Sequence, residues 1–271
     1  MNVAMVDKNQ QPSFKQYPPF LKGGDGERSR RFPMVSRSFV PSVFTVMNMV
    51  SGYISIVMSG EGSFVAACWF IILAAFFDTI DGFVARITKG TSDFGVELDS
   101  LSDLVSFGAA PAYLVYSYGL EGLPNMAGIL ISSLLMIGSG LRLARFNINV
   151  IGYEKSSFSG LPTPAQALTI TGFVLWMSAT PLFAPELMRQ VLAGLSITLA
   201  ILMVSKVNYD ALPKPTADSF RQHPVQMSLY ILALFAVLLF HAKAFFLAML
   251  LYILLGVVRS IALSWRRVWQ A

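Results

Sequence analysis

Residues 78–103 read DTIDGFVARITKGTSDFGVELDSLSD, and four aspartates, Asp78, Asp81, Asp99 and Asp103, fall within them. The sequence on either side is mostly hydrocarbon. An ionised carboxylate inside a membrane helix costs about 2.5–3.5 kcal/mol on insertion scales. Four of them together need compensation, and bound metal is the best source of it.

The rest of the chain sets the context. It is 55% hydrophobic and 13% charged over 271 residues, with mean hydropathy +0.61. A soluble domain carries about 25% charged residues. The long, continuous apolar runs indicate helices rather than a barrel. The fold class expected is therefore an all-α, polytopic transmembrane helix bundle. Net charge is +5. In a membrane protein such an excess reports topology and contact with anionic lipid, so membrane lipid is the expected partner and nucleic acid is not. Cys68 is the only cysteine, which rules out an intramolecular disulfide, and it reads as a small packing residue.

Residues 1–35 are polar and contain no apolar stretch resembling a signal peptide. They read as a disordered cytoplasmic tail, with Arg28, Arg30, Arg31 and Arg37 available as a basic patch for lipid headgroups. Hydropathy and length then place eight spans, near 41–59, 63–86, 94–118, 124–146, 165–183, 187–205, 226–241 and 244–263. Residues 36–209, with six spans, are the expected catalytic core, and 210–271 a cytoplasmic link with two further spans. Of the 20 Lys and Arg, only Arg189 and Lys243 fall near the short links at 60–62, 119–123, 184–186 and 242–243. The opposite side should be cytoplasmic, together with both termini and the aspartates. No internal repeat supports an inverted-repeat transporter.

At 100° per residue, Asp78, Asp81, Gly82, Ala85 and Arg86 occupy one helix arc of about 140°. Gly95, Asp99 and Asp103 share a face of the next helix, with Ser102 and Ser106 beside them. A short link makes the two helices antiparallel neighbours, so their carboxylates can converge. Hard oxygen ligands in this number suit Mg²⁺ or Mn²⁺. Two such ions would neutralise the carboxylates and clamp a pyrophosphate. Gly82, Ala85 and Gly95 leave room for close approach by a nucleotide or by the other helix, and Arg86 offers a cation for phosphate. Intramembrane carboxylates also line ion pathways, so an ion-coupled transporter is the competing class. Glu97 points away from the metal face and Asp93 lies in the link, so neither is expected to be a ligand. His223 and His241 fall outside the core, and the tryptophans, including Trp265, read as interfacial residues.

The pattern Asp78, Asp81-Gly82, Ala85-Arg86, Gly95, Asp99, Asp103 resembles the signature of the CDP-alcohol phosphotransferase family at all eight defined positions. The resemblance implies six core helices around a polar cavity open to the cytoplasm. It also implies a reaction in which an acceptor hydroxyl displaces CMP from a CDP-linked lipid with Mg²⁺ or Mn²⁺. Carried over by position, Asp78, Asp81 and Asp99 would be metal ligands, and Asp103 a ligand, the base, or both. Gly82, Ala85 and Arg86 would contact the cytidine diphosphate. Direct displacement at phosphorus needs this kind of positioning, charge neutralisation and base.

Further segments narrow the acceptor: FTVMN at 44–48 with Gly52, GLRLARFN at 140–147, FSGLPTPAQA at 158–167 and MVSKVNY at 203–209. Together they resemble the bacterial and archaeal phosphatidylserine synthase branch of that family. The branch implies CDP-diacylglycerol and L-serine as substrates and the bacterial inner membrane as location, and its members are often homodimers. Ser42 departs from the pattern, since many relatives have Asn after the opening proline, which weakens a nucleotide role there. Arg142 and Arg145 are three residues apart on roughly one face and can bind a serine carboxylate, the phosphates of the CDP-lipid, or the interface. Lys206 is open to the same choice. Thr45 and Asn48 suggest base or ribose contacts, or interhelical hydrogen bonds. Pro162 and Pro164 stiffen a loop that either edges the serine pocket or simply enters a helix. Another acceptor, glycerol 3-phosphate or inositol phosphate, is the alternative within the family.

Overall fold

Long apolar runs satisfy their own backbone groups best as helices, and five helices here are long and apolar enough to cross a membrane. In a computed structural model, residues 39–88, 93–151, 160–207, 209, 242–260 and 262 are described. The expected tail, the seventh span at 226–241, His223, His241, Trp265 and the side chain of Arg86 lie outside the described residues. The described residues are all-helical apart from turns and links, and the chain is an integral membrane protein.

Helix α1 spans Phe39–Gly60 and α2 spans Phe64–Thr88. A turn with Gly62 at φ 76° joins them. The third expected span is not one regular helix. It runs as α3 (Asp93–Asp103), a π turn (Leu104–Ala109), α4 (Ala110–Val115) and a second π turn (Tyr116–Leu120). Then come α5 (Ala127–Ile151), α6 (Thr163–Ala179) and α7 (Pro185–Val204). The last described helix, α8, covers Ala242–Ser260. The five long apolar helices are α1, α2, α5, α7 and α8. The expected third span is the broken run from α3 to Leu120, and the expected fifth is α6, with 17 residues.

α1 packs along α2, α5 along α7, and α6 against α2. The run from α3 to α4 sits between α1 and α5. The core is apolar and fully buried at Ile71, Phe107, Leu114, Leu135, Ile170 and Leu199. Cys68 is buried in this core, as a packing residue should be. Side chains such as Trp69, Phe76, Leu130 and Ile201 face outward and are exposed. In water such a surface would be unfavourable, whereas toward lipid it is the expected exterior.

Two close approaches hold the site helices in place. A Cβ on Gly52 of α1 would lie 2.6 Å from the Cα of Ser106, so only glycine lets α1 meet the first π turn there. Gly160 has φ 97°, and a Cβ there would collide with the backbone of Met203. The segment entering α6 is pinned to the end of α7 by Gly160 N–H to the Val207 carbonyl at 2.8 Å and Leu161 N–H to the Leu202 carbonyl at 3.0 Å.

Candidate active site

Asp78 comes from α2, and Asp99 and Asp103 from α3. One carboxylate oxygen from each lies within 4.8 Å of the other two. All three side chains are half-buried, so the cluster is reachable from outside the protein. At about 4 Å, two like charges repel by about 4 kcal/mol at an effective dielectric constant of 20. The donor set is all carboxylate oxygen, which matches hard divalent cations, and a cation is the direct way to offset this repulsion. The cluster fits a metal.

Asp81 is placed differently from the other three. It is 6% exposed and accepts a hydrogen bond from the hydroxyl of Thr45 on α1. It remains close enough to Asp78 and Asp99 to interact with both electrostatically. Asn48, one helical turn after Thr45, donates its amide N–H to Asp103 Oδ1 at 3.3 Å. α1 therefore supplies two polar side chains that orient two of the aspartates, which is the interhelical alternative of the sequence reading. The carbonyl oxygen of the Asn48 side chain is buried with no hydrogen-bond partner among the described residues.

The serines beside the aspartates tie α3 and the first π turn to α1. Ser102 donates to the Thr45 carbonyl at 2.9 Å, and Ser106 donates to the Asn48 carbonyl at 2.8 Å. Thr45 and Asn48 are thus held through backbone as well as side chain. Ser100 and Asn147 hydrogen-bond side chain to side chain, at 3.0 Å from the Asn147 amide, which links α3 to α5. Gly82 and Ala85 on α2 and Gly95 on α3 are partly buried on the same helices. Glu97 is exposed.

The two arginines part company. Arg142 on α5 is close enough to Asp103 for their charges to interact, and its Nε is buried without a hydrogen-bond partner among the described residues. Arg145 donates Nη1 to the Val204 carbonyl at 3.1 Å, so part of its guanidinium caps the last turn of α7. Lys206, just beyond α7, is exposed. Pro162 is the residue before α6, and Thr163 and Pro164 open the helix.

Sequence reasoning did not single out Gln166. In a regular helix the Phe107 carbonyl would accept the N–H of residue 111, but Pro111 has none. The helix loosens into the π turn Leu104–Ala109, and the buried Gln166 of α6 donates its side-chain amide to that carbonyl. Ser139 of α5 reaches the same oxygen at 3.4 Å. Pro111 was the available signal, since a proline within an apolar span frees a carbonyl one turn earlier.

Residues 38–204 match the CDP-alcohol phosphatidyltransferase family. The chain belongs to this family. Within the CDP-alcohol phosphatidyltransferases it is similar to a protein named CDP-diacylglycerol–serine O-phosphatidyltransferase from Helicobacter pylori strain J99, with 34% identity covering 82% of this chain and 91% of the relative. The archaetidylserine synthase of Methanothermobacter thermautotrophicus is 40% identical over 63% of this chain and 69% of its own. A CDP-diacylglycerol–serine O-phosphatidyltransferase from Methanocaldococcus jannaschii is 41% identical over 62% of this chain and 72% of its own. The family match ends at the last residue of α7, so α8 lies beyond it.

Proposed function

We propose that this chain is a phosphatidylserine synthase, which transfers the phosphatidyl group of CDP-diacylglycerol to L-serine and releases CMP. The observation that carries the reading is the carboxylate cluster of Asp78, Asp99 and Asp103 with Arg142 beside Asp103. The names of the relatives support serine as acceptor.

In this proposal the serine hydroxyl oxygen forms a bond to the phosphorus that carries diacylglycerol. The bond from that phosphorus to the oxygen shared with CMP breaks, and CMP leaves with the electron pair. Asp103 takes the hydroxyl proton. Asp78, Asp81, Asp99 and Asp103 would hold Mg²⁺ or Mn²⁺, two ions in all, which would supply charge neutralisation at the diphosphate. Thr45 and Asn48 hold Asp81 and Asp103 in place through their hydrogen bonds, which keeps both carboxylates oriented toward the CDP-lipid. Gly82, Ala85 and Gly95 leave space for the cytidine diphosphate, and Arg86 offers it a cation. Arg142 takes the serine carboxylate, with Arg145 and Lys206 bordering that end.

The catalytic unit in this reading is 36–209, with 1–35 as a tail and 210–271 as an appended segment. The protein sits in a bacterial inner membrane, bathed in lipid, with both termini and the site facing the cytoplasm, as the lysine and arginine distribution supports. The homodimer that the family resemblance implies belongs to the same proposal.

The test is a radiolabelled serine assay on membranes with CDP-diacylglycerol. Lipid labelling and CMP release should require divalent metal, vanish with EDTA and return with Mg²⁺ or Mn²⁺. Absence of metal-dependent lipid product would overturn the enzyme reading. Labelling from glycerol 3-phosphate in place of serine would overturn only the acceptor.

A further inference from the structure

Residues 104–109, directly after Asp103, form a turn with hydrogen bonds that step by five residues, as in the bond from the Ala110 N–H to the Val105 carbonyl. Such π turns are rare and recur at functional sites. Three helices grip this one. From α1, Gly52 lets the backbone come up to Ser106, and Ser106 donates to the Asn48 carbonyl at 2.8 Å. From α5, Ser139 reaches the Phe107 carbonyl at 3.4 Å, and a Cβ on Gly108 would lie 3.2 Å from the Ser139 Cβ. From α6, Gln166 donates its side-chain amide to the same Phe107 oxygen. Ser106, Phe107, Ser139 and Gln166 are all 0% exposed, so this grip lies inside the bundle and touches no substrate.

Gln166 is the most costly member of the set. Its neighbours on α6 include Ala165, Ala167 and Ile170, all buried and apolar. Its Oε1 is buried with no hydrogen-bond partner among the described residues. A buried amide with half its capacity unmet carries a desolvation penalty that an apolar side chain of similar size would not. Packing alone therefore does not account for a glutamine at this place, and its bond to Phe107 does.

That bond acts on Asp103 through the turn. If residues 104–109 drew in to α spacing, α3 would rotate against α4 by up to the about 100° that one residue subtends. Asp103 would then swing away from Asp78 on α2 and from the Asn48 amide on α1, which now donates to it at 3.3 Å. We propose that Gln166 is a positioning residue for phosphatidyl transfer: by holding the Phe107 carbonyl it keeps the π turn open, and so sets the phase at which α3 presents Asp103 to Asp78 and Asp99. The inference rests on the transfer reaction of the proposed function, whichever alcohol is the acceptor. Misplacing a reacting group by about 1 Å costs about 10²-fold in rate, so a modest rotation is enough to matter.

The experiment compares the full chain as wild type, as Gln166→Leu and as the double variant Pro111→Ala with Gln166→Leu. Pro111→Ala returns an N–H to residue 111, which gives the Phe107 carbonyl a donor within its own helix at α spacing. Gln166→Leu should lower kcat about 10- to 100-fold while moving the KM of serine and of CDP-diacylglycerol less than about threefold. The double variant should recover the thermal midpoint that Gln166→Leu loses but not its kcat, because the carbonyl is satisfied while the turn is the wrong one. Mn²⁺ binding, read without turnover by EPR of the free ion in detergent, should weaken about 10-fold in both variants. A kcat or Mn²⁺ affinity within twofold of wild type in Gln166→Leu, or a loss carried by KM, would overturn the positioning role. So would a kcat that recovers together with the midpoint, or a midpoint that Gln166→Leu leaves unmoved or the double variant fails to restore. In each of these cases the wild type still makes the lipid product, so the proposed function stands. A wild type that neither binds Mn²⁺ nor makes lipid product would overturn both.

Discussion

Asp103 carries more local interactions than any other residue of the cluster. It lies in the metal-competent trio, accepts from Asn48 and feels the charge of Arg142. This combination of a neighbouring carboxylate trio, an amide donor and a cation suits a base as well as a metal ligand. Asp103→Asn should lower kcat by at least 10²-fold while moving the CDP-diacylglycerol dissociation constant less than about fivefold. A titration of CDP-lipid against the purified variant checks this, and an equal loss of binding would make Asp103 mainly a ligand. The aspartates themselves were legible in the sequence, because helical phase and costly charge both point at them. Thr45 was legible as polar in an apolar helix but not as the partner of Asp81, since that contact depends on the rotation of α1 against α2. Arg142 and Arg145 looked equivalent at a spacing of three. Only the end of α7, distant in sequence, separates the one that caps a helix from the one that faces the site.

At the level of the element, the run from α3 to Leu120 shows what hydropathy alone misses. An apolar window reads as one span whether its hydrogen bonds step by four or by five residues. The physical cause of the break is local: Pro111 removes a donor, and Phe107 must find another. Gln166 supplies it from α6. Gln166→Leu should therefore strand a buried carbonyl and cost about 1–3 kcal/mol of stability. The midpoint of thermal unfolding in detergent should fall by several degrees, and an unchanged midpoint would mean that Ser139 or water satisfies Phe107 alone. Because the π turn begins directly after Asp103, looseness there should also be felt at the site. The loop ending in Pro162 and Pro164 was legible as stiff. Its anchoring to the end of α7 was not, because those partners are some 40 residues away and are joined by backbone atoms that carry no sequence signal.

For the molecule as a whole, composition was enough for class and for membrane residence, since burying polar backbone in lipid leaves few architectures. The span count is less directly readable, because α6 and the broken α3–α4 run fall short of a standard long apolar helix while still packing in the bundle. The orientation proposed from the lysine and arginine distribution is made measurable by one feature of the core. Cys68 is the only thiol in the 271 residues, and it is 0% exposed. The natural chain should thus be nearly silent to a membrane-impermeant maleimide. Any cysteine introduced at an exposed link would be the sole reporter of its own side. Glu61→Cys should be modified from outside intact cells, and Lys206→Cys only after the inner membrane is inverted or opened. The reverse pattern would turn the bundle over. A buried residue with no part in the chemistry thereby makes the protein its own clean background for mapping which compartment each loop inhabits.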